Sequence, residues 1–384
     1  MLPAAWREGR VAWAEHLAAT GTIAALRSAA ACTPGDGARW RELGAAQLRA
    51  NEPADDPGAA ASLERAVSLN SYDAESRAAL GLIAESQGRA PEAERDLLAA
   101  VRTSRRFRPQ LALASFYFRA QDAGRFWPVA STAANIPAAD PDPIFQMAVR
   151  MESDPQRAAA LLRLDEVPKL ALFVRFLAQN RCDAGLAPLA LHLNPRLSHA
   201  TLLAASNCLV DARRTADAVA VWNRLYPTHA LDPVHGKSLT DARLELPERG
   251  AFHWKLSGAE GVDLSPIAPR GLRVEFSGRQ PETVVLIEQF VPVLENRHYR
   301  LTLDYRTADL SGPTGIRWFA CAMNETTCVS SQPLPGNPDE PFEFDFPTGP
   351  RVELVHLVLL CRRDAGNTRG AGTLTLRAVG LDLL

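Results

Sequence analysis

The chain has 384 residues, of which 47% are apolar and 22% are charged, and its formal net charge at pH 7 is −2. This composition belongs to a folded globular chain with room for two domains, and it excludes disordered, collagen-like and filamentous coiled-coil proteins. The near-neutral charge argues against a nucleic-acid partner, and no apolar run reaches the roughly 18 residues that would span a bilayer.

The first part of the chain, residues 6–225, is rich in alanine and leucine at helical spacing and is interrupted by short turns such as 51–58 and 87–90. A unit of about 34 residues starts at Ala74. Small and apolar residues occupy its regular places, namely Leu80, Gly81, Ala84, Ala93, Leu97 and Ala100. The preceding unit repeats the pattern with Trp40, Leu43, Gly44, Ala59, Leu63 and Ala66, and a later unit with Leu202, Ala205, Ser206, Leu209, Ala218, Trp222 and Leu225.

These places resemble those of the tetratricopeptide repeat, in which small residues let the two helices of a unit approach closely. Residues 111–134 and 170–193 look like degenerate pairs of the same kind. The resemblance implies an α-solenoid in which each helical pair buries its apolar face against the next pair. It also implies a concave wall, lined by the first helix of each unit, that in this family commonly holds a peptide or a partner protein.

The resemblance places two sets of residues on this concave wall. In the clearest unit they are Glu75, Ala78, Leu82 and Glu85, and in the late unit they are Ala200, Leu203, Asn207 and Val210. Two interpretations stay open for them. Either the wall docks a protein partner, or the second domain of the chain covers part of it.

From residue 251 the apolar pattern changes to alternation, as in Leu272, Val274 and Phe276. The predicted strands cover residues 252–256, 271–277, 284–293, 299–307, 316–323, 342–346, 352–361 and 373–384. Strands that follow one another without helices between them predict an antiparallel β-sandwich of the jelly-roll type. The fold class is therefore an N-terminal α-solenoid followed by a C-terminal β-sandwich, in separate domains.

The landmarks of the strand region follow a particular order, which begins with an aromatic pair, Phe252 and Trp254. The later landmarks are residues 271–276, 287–293, 299–307 and 372–383. This order resembles that of the jelly-roll carbohydrate-binding modules that accompany bacterial glycoside hydrolases. The same sandwich also serves elsewhere as a protein-docking or purely structural module, so the resemblance alone does not assign a ligand.

A saccharide site needs aromatic rings that stack on sugar rings and polar side chains that bind the hydroxyls. The candidates are Trp254, Trp318 and Phe319. Trp318 shares a strand face with Ile316 and Ala320, which favours the core, whereas Phe319 on the opposite face is the better candidate for exposure. Modules of this kind often hold a structural calcium, but its oxygen ligands cannot be located in this sequence. We predict no other metal and no cofactor.

The chain has six cysteines, and none has the paired spacing of a zinc site or a redox motif. Cys321 with Cys328, and Cys182 with Cys208, are candidate disulfides. Two disulfides would favour an exported protein in the periplasm or outside the cell. The alternative is that all six are buried thiols that pack as small apolar residues. No signal peptide is visible at the N-terminus, so a cytoplasmic location stays an alternative.

The sequence offers no catalytic residue that we would assign. Glu343 and Asp345 alternate with phenylalanines, a pattern that is more typical of the solvent-exposed face of a strand than of a general acid pair. We therefore predict a protein that is not an enzyme.

We predict a helical domain over residues 1–235, a linker over 236–250 and a β-sandwich over 251–384. The predicted function is that of an interaction or scaffold protein, in which the solenoid docks a protein partner and the sandwich binds a saccharide. In bacteria this pairing would suit the assembly or export of cell-surface polysaccharide. The alternative is a purely structural subunit of an extracellular or envelope assembly, without a small ligand.

Overall fold

A computed structural model of the chain describes residues 2–50, 57–246, 250–310, 314–323, 328–336, 340–363 and 370–384. Most of the predicted turn at 51–58 and the last part of the predicted linker lie outside the described residues. The chain forms two compact units, Met1–Phe173 and Val174–Leu384.

The first unit is built from helices that follow one another in antiparallel pairs. They are α1 (Leu2–Ala19), α2 (Ile23–Cys32), α3 (Gly37–Arg49), α4 (Pro57–Leu69), α5 (Ala74–Ser86), α6 (Ala90–Thr103), α7 (Phe107–Arg119), α8 (Ala123–Ala134), α9 (Asp142–Met151) and α10 (Pro155–Leu161). The next helix, α11 (Val167–Asn180), runs from the first unit into the second. The helical half of the predicted fold class is confirmed.

The clearest predicted unit corresponds to the pair α5 and α6. Asp73 caps α5 by accepting a hydrogen bond from the backbone N–H of Ser76, and Pro91 lies in the first turn of α6, where no backbone donor is needed. Gly81 lies so close to α6 that a Cβ placed there would be 2.7 Å from Cγ of Leu97. Gly44 of α3 approaches Leu63 of α4 equally closely. The small residues of the repeat are therefore where the two helices touch.

The second unit begins with helices and ends with the sandwich. Its helices are α12 (Leu186–Leu191), α13 (His199–Asp211) and α14 (Thr215–Leu225), followed by short 3₁₀ turns at Pro227–His229 and Pro233–His235. Helices α13 and α14 correspond to the predicted late unit. Ser206 takes the place that glycine has in the clearer units, and its fully buried hydroxyl donates to the carbonyl of Ala218 at 3.3 Å.

The sandwich consists of two antiparallel sheets of five strands each. The strands are β1 (Lys255–Leu256), β2 (Val262–Pro266), β3 (Leu272–Ser277), β4 (Thr283–Pro292), β5 (His298–Ala308), β6 (Ile316–Ala322), β7 (Cys328–Ser330), β8 (Phe342–Pro347), β9 (Leu354–Arg362) and β10 (Ala371–Leu383). One sheet has the order β1-β4-β9-β6-β7 and the other has the order β2-β3-β10-β5-β8. The β half of the predicted fold class is confirmed as well.

Two short strands were absent from the predicted set. β2 lies at the edge of its sheet and ends at Pro266, and β7 is a three-residue edge strand whose residues are all exposed. Neither carries the buried alternation that marked the other strands, such as β3, in which Leu272, Val274 and Phe276 are buried and their neighbours exposed. Edge strands of this length are defined by pairing with a neighbour rather than by their own pattern.

The core of the sandwich extends beyond the strands. Leu244, which precedes the first strand, is 1% exposed and belongs to the same apolar cluster as Trp318 and Leu359. Trp254 packs there too, and its indole N–H donates to the carbonyl of Asp241 at 3.1 Å. Within the described residues, no helix is long and apolar enough to cross a membrane.

Candidate functional site

A groove of about 760 Å³ opens in the first unit, and we call it the helical groove. Most of its lining residues lie on α1, α3, α5 and α7, which are the first helices of successive pairs. Its lining includes six alanines, namely Ala18, Ala19, Ala45, Ala78, Ala79 and Ala112. Leu82 projects among them with 41% of its surface exposed. Because many of the side chains that line the groove are small, they leave its space open.

Charged side chains border the helical groove, and part of their charge is already paired. Arg39 makes an ion pair with Glu42 at 2.9 Å, and Arg41 makes one with Asp73 at 3.4 Å. Arg49 and Arg108 line the same groove and are exposed. Neither guanidinium has a hydrogen-bond or ion-pair partner among the described residues. The groove consequently presents two cationic groups with free donors.

Three of the residues predicted for the concave wall, Glu75, Ala78 and Leu82, line the helical groove together. Glu85 is not among its lining residues, and its carboxylate accepts two hydrogen bonds of 2.6 Å from the guanidinium of Arg119 one repeat later. Asn207 lies in the second unit and lines a different cavity. Glu85 and Asn207 therefore lie outside the lining of the helical groove, and their place on the concave wall stays a prediction.

That second cavity has a volume of about 550 Å³, and we call it the sheet cavity. Asn207, Val210 and Asp211 of α13 form one part of its lining. The segment that leads into β1 and six residues of the sheet, on β1, β4 and β9, form the rest, namely Gly250, Ala251, His253, Trp254, Lys255, Leu256, Glu288, Gln289, Phe290 and His356. The whole cavity lies within the second unit.

Strand register brings the polar residues of the sheet cavity together. Lys255 of β1 pairs with Glu288 of β4, and Phe290 of β4 pairs with His356 of β9. The Lys255 ammonium lies 2.6 Å from Oε1 of Glu288, and Nε2 of His356 lies 3.1 Å from Oε2. Both oxygens of the half-buried Glu288 carboxylate are therefore engaged, one by each neighbour.

His356 is a titratable group of the sheet cavity whose surroundings shift its pKa. Burial lowers the pKa of His356 below its ordinary value, the Glu288 carboxylate opposes this shift, and the Lys255 ammonium adds to it. The imidazole therefore stays neutral at pH 7. Its ring stacks on Phe290 with the ring centroids 4.5 Å apart, so two aromatic rings line the cavity beside its charged pair.

Two of the three predicted saccharide-binding aromatics are core residues. Trp318 is 0% exposed and Trp254 is 3% exposed, and their rings lie 6.0 Å apart inside the sandwich. Neither can present a ring face to a sugar, which corrects their selection, although Trp254 also borders the sheet cavity. Phe319 lies on the outer face of β6 and is half-buried, opposite Val358 of β9.

The structure pairs Cys182 with Cys208 and Cys321 with Cys328 as disulfides. The first links the turn after α11 to α13, and the second links β6 to β7. Cys32 and Cys361 are free thiols. Burial raises the pKa of Cys361 to about 11, so this thiol stays protonated at neutral pH and is a poor nucleophile.

The two carboxylates that we had considered as an acid pair lie on the exposed face of β8. Arg300 of β5 donates two hydrogen bonds of 2.8 Å to Asp345 and makes a 3.0 Å ion pair with Glu343. These hydrogen bonds lower the pKa of Asp345, whereas a general acid needs a raised pKa. No group of three or more His, Cys, Asp or Glu that could hold a metal ion occurs in the part of the chain that the structure describes.

Comparison with known proteins gives no family. No family model matches the chain, and no curated protein matches it. Solved structures that are similar over part of the chain include the C-terminal part of a TPR repeat-containing protein from Cytophaga hutchinsonii. It is 13% identical, and the match covers 58% of this chain and 94% of that chain at a TM-score of 0.33.

Two further solved structures match the chain over other shares of its length. The carbohydrate-binding module TmCBM61, solved in complex with β-1,4-galactotriose, is 10% identical with a TM-score of 0.26, and the match covers 38% of this chain and 98% of that chain. The enzymatically active domain of bacteriophage CBA120 tailspike protein 4 is 8% identical with a TM-score of 0.29, and the match covers 40% of this chain but only 22% of that chain. At these TM-scores none of the similarities carries an argument.

The sequence did not point to the sheet cavity. Its charged residues are distant along the chain, and only strand pairing places Lys255, Glu288 and His356 in adjacent positions. One signal was present, because Glu288 is the only charged residue within the apolar run of β4. A lone charge inside such a run has to be paired or solvated, and it therefore marks a place to look.

Proposed function

We propose that the chain is a non-catalytic interaction protein whose helical groove docks an extended segment of a protein partner. The observation that carries this proposal is the lining of the groove, which runs over the first helices of four successive pairs. A wall of alanines leaves room for a bound chain, and the exposed Leu82 offers it an apolar anchor.

The charges of the helical groove specify the chemistry of the partner. Arg49 and Arg108 have free donors, and guanidinium groups bind carboxylates in a bidentate geometry. The partner segment is therefore acidic, with at least one carboxylate near each arginine and small apolar side chains between them. Because both arginines are exposed, each contributes modestly to affinity and more to the register of the bound segment.

The experiment is site-specific photo-crosslinking in the native host, with the photoreactive residue at Leu82. We expect one dominant protein adduct, which weakens when Arg49→Glu and Arg108→Glu are combined. A photoreactive residue at the exposed Glu64 and the charge reversal Arg65→Glu, both on α4 outside the groove lining, are the matched controls. Equal adducts at both positions, or an adduct that the double reversal leaves unchanged, would contradict the proposal.

A second proposed function is saccharide binding by the second unit. The sheet cavity favours it, since it joins an aromatic surface to side chains that donate and accept hydrogen bonds. A protein with both functions would hold a saccharide and a protein partner on one chain, as the assembly or export of cell-surface polysaccharide requires. With its two disulfides, such a protein would work in the periplasm or outside the cell.

Binding of the full chain to an oligosaccharide array tests the second function. We expect a small set of related glycans to bind, and folded protein that binds none would leave the structural-subunit alternative. In that case the groove experiment should still return a protein partner, since a structural subunit also needs one. The two experiments together therefore separate a scaffold with a ligand from a scaffold without one.

A further inference from the structure

The sheet cavity has a wall that does not belong to the sandwich. Asn207 and Asp211 are four residues apart on α13, so they lie on one face of the helix, one turn from each other. Both are exposed and both line the cavity. Among the described residues, neither side chain has a hydrogen-bond or ion-pair partner. Helix α13 thus places an amide and a carboxylate at the cavity, and both can form further hydrogen bonds.

On the opposite wall, the charged groups of Lys255 and Glu288 are paired with each other. Glu288 has both oxygens engaged, by Lys255 at 2.6 Å and by His356 at 3.1 Å, and the imidazole of His356 is neutral at pH 7. Asp211 is therefore the only formal charge in the lining that lacks a partner within the described residues. An anionic ligand would meet this carboxylate at short range without a free cation to offset it.

The polar groups that remain free both donate and accept hydrogen bonds. The amide of Asn207 does both, the carboxylate of Asp211 accepts, and the ammonium of Lys255 has donors beyond the one used by Glu288. Gln289 adds a buried Oε1 without a hydrogen-bond partner among the described residues. Hydroxyl groups complement such a mixed set because each one donates and accepts.

We infer that the sheet cavity is a saccharide site shared between the sandwich and α13, in which Asn207 and Asp211 select a neutral sugar over an acidic one. This inference rests on the proposed saccharide-binding function and adds the position and the selectivity of the site. The volume of about 550 Å³ suits a ligand of one or two sugar rings. The rings of Phe290 and His356, which line the cavity and stack on each other, offer apolar aromatic contacts to the sugar.

The test uses the full chain and calorimetric titration with neutral trisaccharides of glucose, galactose and mannose. The best binder is then compared with the uronic-acid trisaccharide of the same linkage. We expect the neutral sugar to bind more tightly. Asn207→Ala should weaken its binding about three- to tenfold, as expected for the loss of one or two hydrogen bonds. Asp211→Asn should shift the preference toward the uronic acid about five- to tenfold, because the repelling charge is gone.

The controls distinguish a failure of the saccharide-binding function from a failure of the proposed site. Asp263→Asn removes an equally exposed carboxylate from β2, in the other sheet, and should change neither affinity. Lys255→Met tests the sandwich wall and should weaken binding as Asn207→Ala does. If no trisaccharide binds the folded wild-type chain, the saccharide function itself is wrong. If a sugar binds but the Asn207 and Asp211 variants bind it like wild type, or Phe319→Ala alone abolishes binding, the site lies elsewhere and the inference is wrong.

Discussion

Gly81 and Gly9 are both glycines within helices, yet their surroundings differ completely. A Cβ at Gly81 would come within 2.7 Å of Leu97 Cγ and 3.1 Å of the carbonyl of Ala93, whereas a Cβ at Gly9 would meet nothing within 4 Å. At Gly81 the close approach of two helices requires the missing side chain. At Gly9 only the helix propensity matters, and there alanine is better than glycine.

Substitution by alanine should therefore lower the free energy of unfolding at Gly81 and raise it at Gly9. Gly81→Ala should lower the free energy of unfolding of the helical unit by about 1 kcal/mol, since overpacking costs about 1–3 kcal/mol and the gain in helix propensity offsets about 1. Gly9→Ala should raise it by about 0.5–1 kcal/mol. Urea unfolding followed by helical circular dichroism measures both. Stabilisation by Gly81→Ala would show that the helix contact is looser than this structure has it.

The elements of the fold were largely predictable from local patterns. Helices α5 and α6, and strand β3, carry complete periodicities of small and apolar residues, so each specifies its own type and its own buried face. The short edge strands β2 and β7 were missed because their pairing, and not their composition, makes them strands.

The candidate sites were less predictable, for a physical reason that Trp318 and His356 illustrate. An aromatic residue is useful to a ligand only when exposed, and Trp318 was already suspect because Ile316 and Ala320 share its face. His356 gains its role from Glu288, a strand away, and from the helix wall of the sheet cavity. Such juxtapositions depend on strand register and helix placement, which no single-strand pattern encodes.

The disulfide between Cys182 and Cys208 acts at the scale of elements, because it joins the end of α11 to α13 across 26 residues. Cross-linking a loop of this length lowers the chain entropy of the unfolded state, so the bond stabilises the fold by about 3.5 kcal/mol in the loop-closure model. The double substitution Cys182→Ser and Cys208→Ser should lower the free energy of unfolding by about 2–4 kcal/mol.

The measurement is urea unfolding, with Cys32→Ser and Cys361→Ser as the matched pair of free thiols. That control should change stability by less than the disulfide variant does. A thiol assay in denaturant without reductant should find two reactive thiols in the wild-type chain. Six thiols in protein purified from its native compartment would remove both the stabilisation and the support for an exported protein.

At the scale of the whole molecule, the change from helices to strands does not coincide with the division into compact units. The second unit starts at Val174 and includes α12, α13 and α14 together with the sandwich. Within this unit, the end of α14 contacts the segment before β1 through four aromatic rings. They belong to Trp222, Tyr226, Phe252 and His253, and their centroids lie 4.5 to 5.4 Å apart. Trp222 and Phe252 are both 0% exposed.

A fragment that starts at residue 251, as the sequence pattern suggested, would remove the partners of this cluster. It would strip Trp222 from Phe252 and would also remove Leu244 from the sandwich core. The hydrogen bond of 2.9 Å from Gln289 Nε2 to Thr240 Oγ1 would be lost as well. Because each fully buried apolar side chain contributes about 1.5–3 kcal/mol, we expect the 251–384 fragment to be less stable than the 174–384 fragment by about 3 kcal/mol or more.

Tryptophan fluorescence during urea unfolding, with binding of a hydrophobic dye at zero urea, compares the two fragments. We expect the longer fragment to unfold cooperatively and the shorter one to bind dye, since Phe252 would face solvent. In the shorter fragment, Phe252→Ser should reduce dye binding. In the longer fragment, the same substitution should lower the free energy of unfolding. Equal stability of the two fragments would mean that the sandwich folds without its helices. In that case the contact between α13 and the sandwich would not be needed for folding, and the sheet cavity, whose lining includes α13, would depend on that contact.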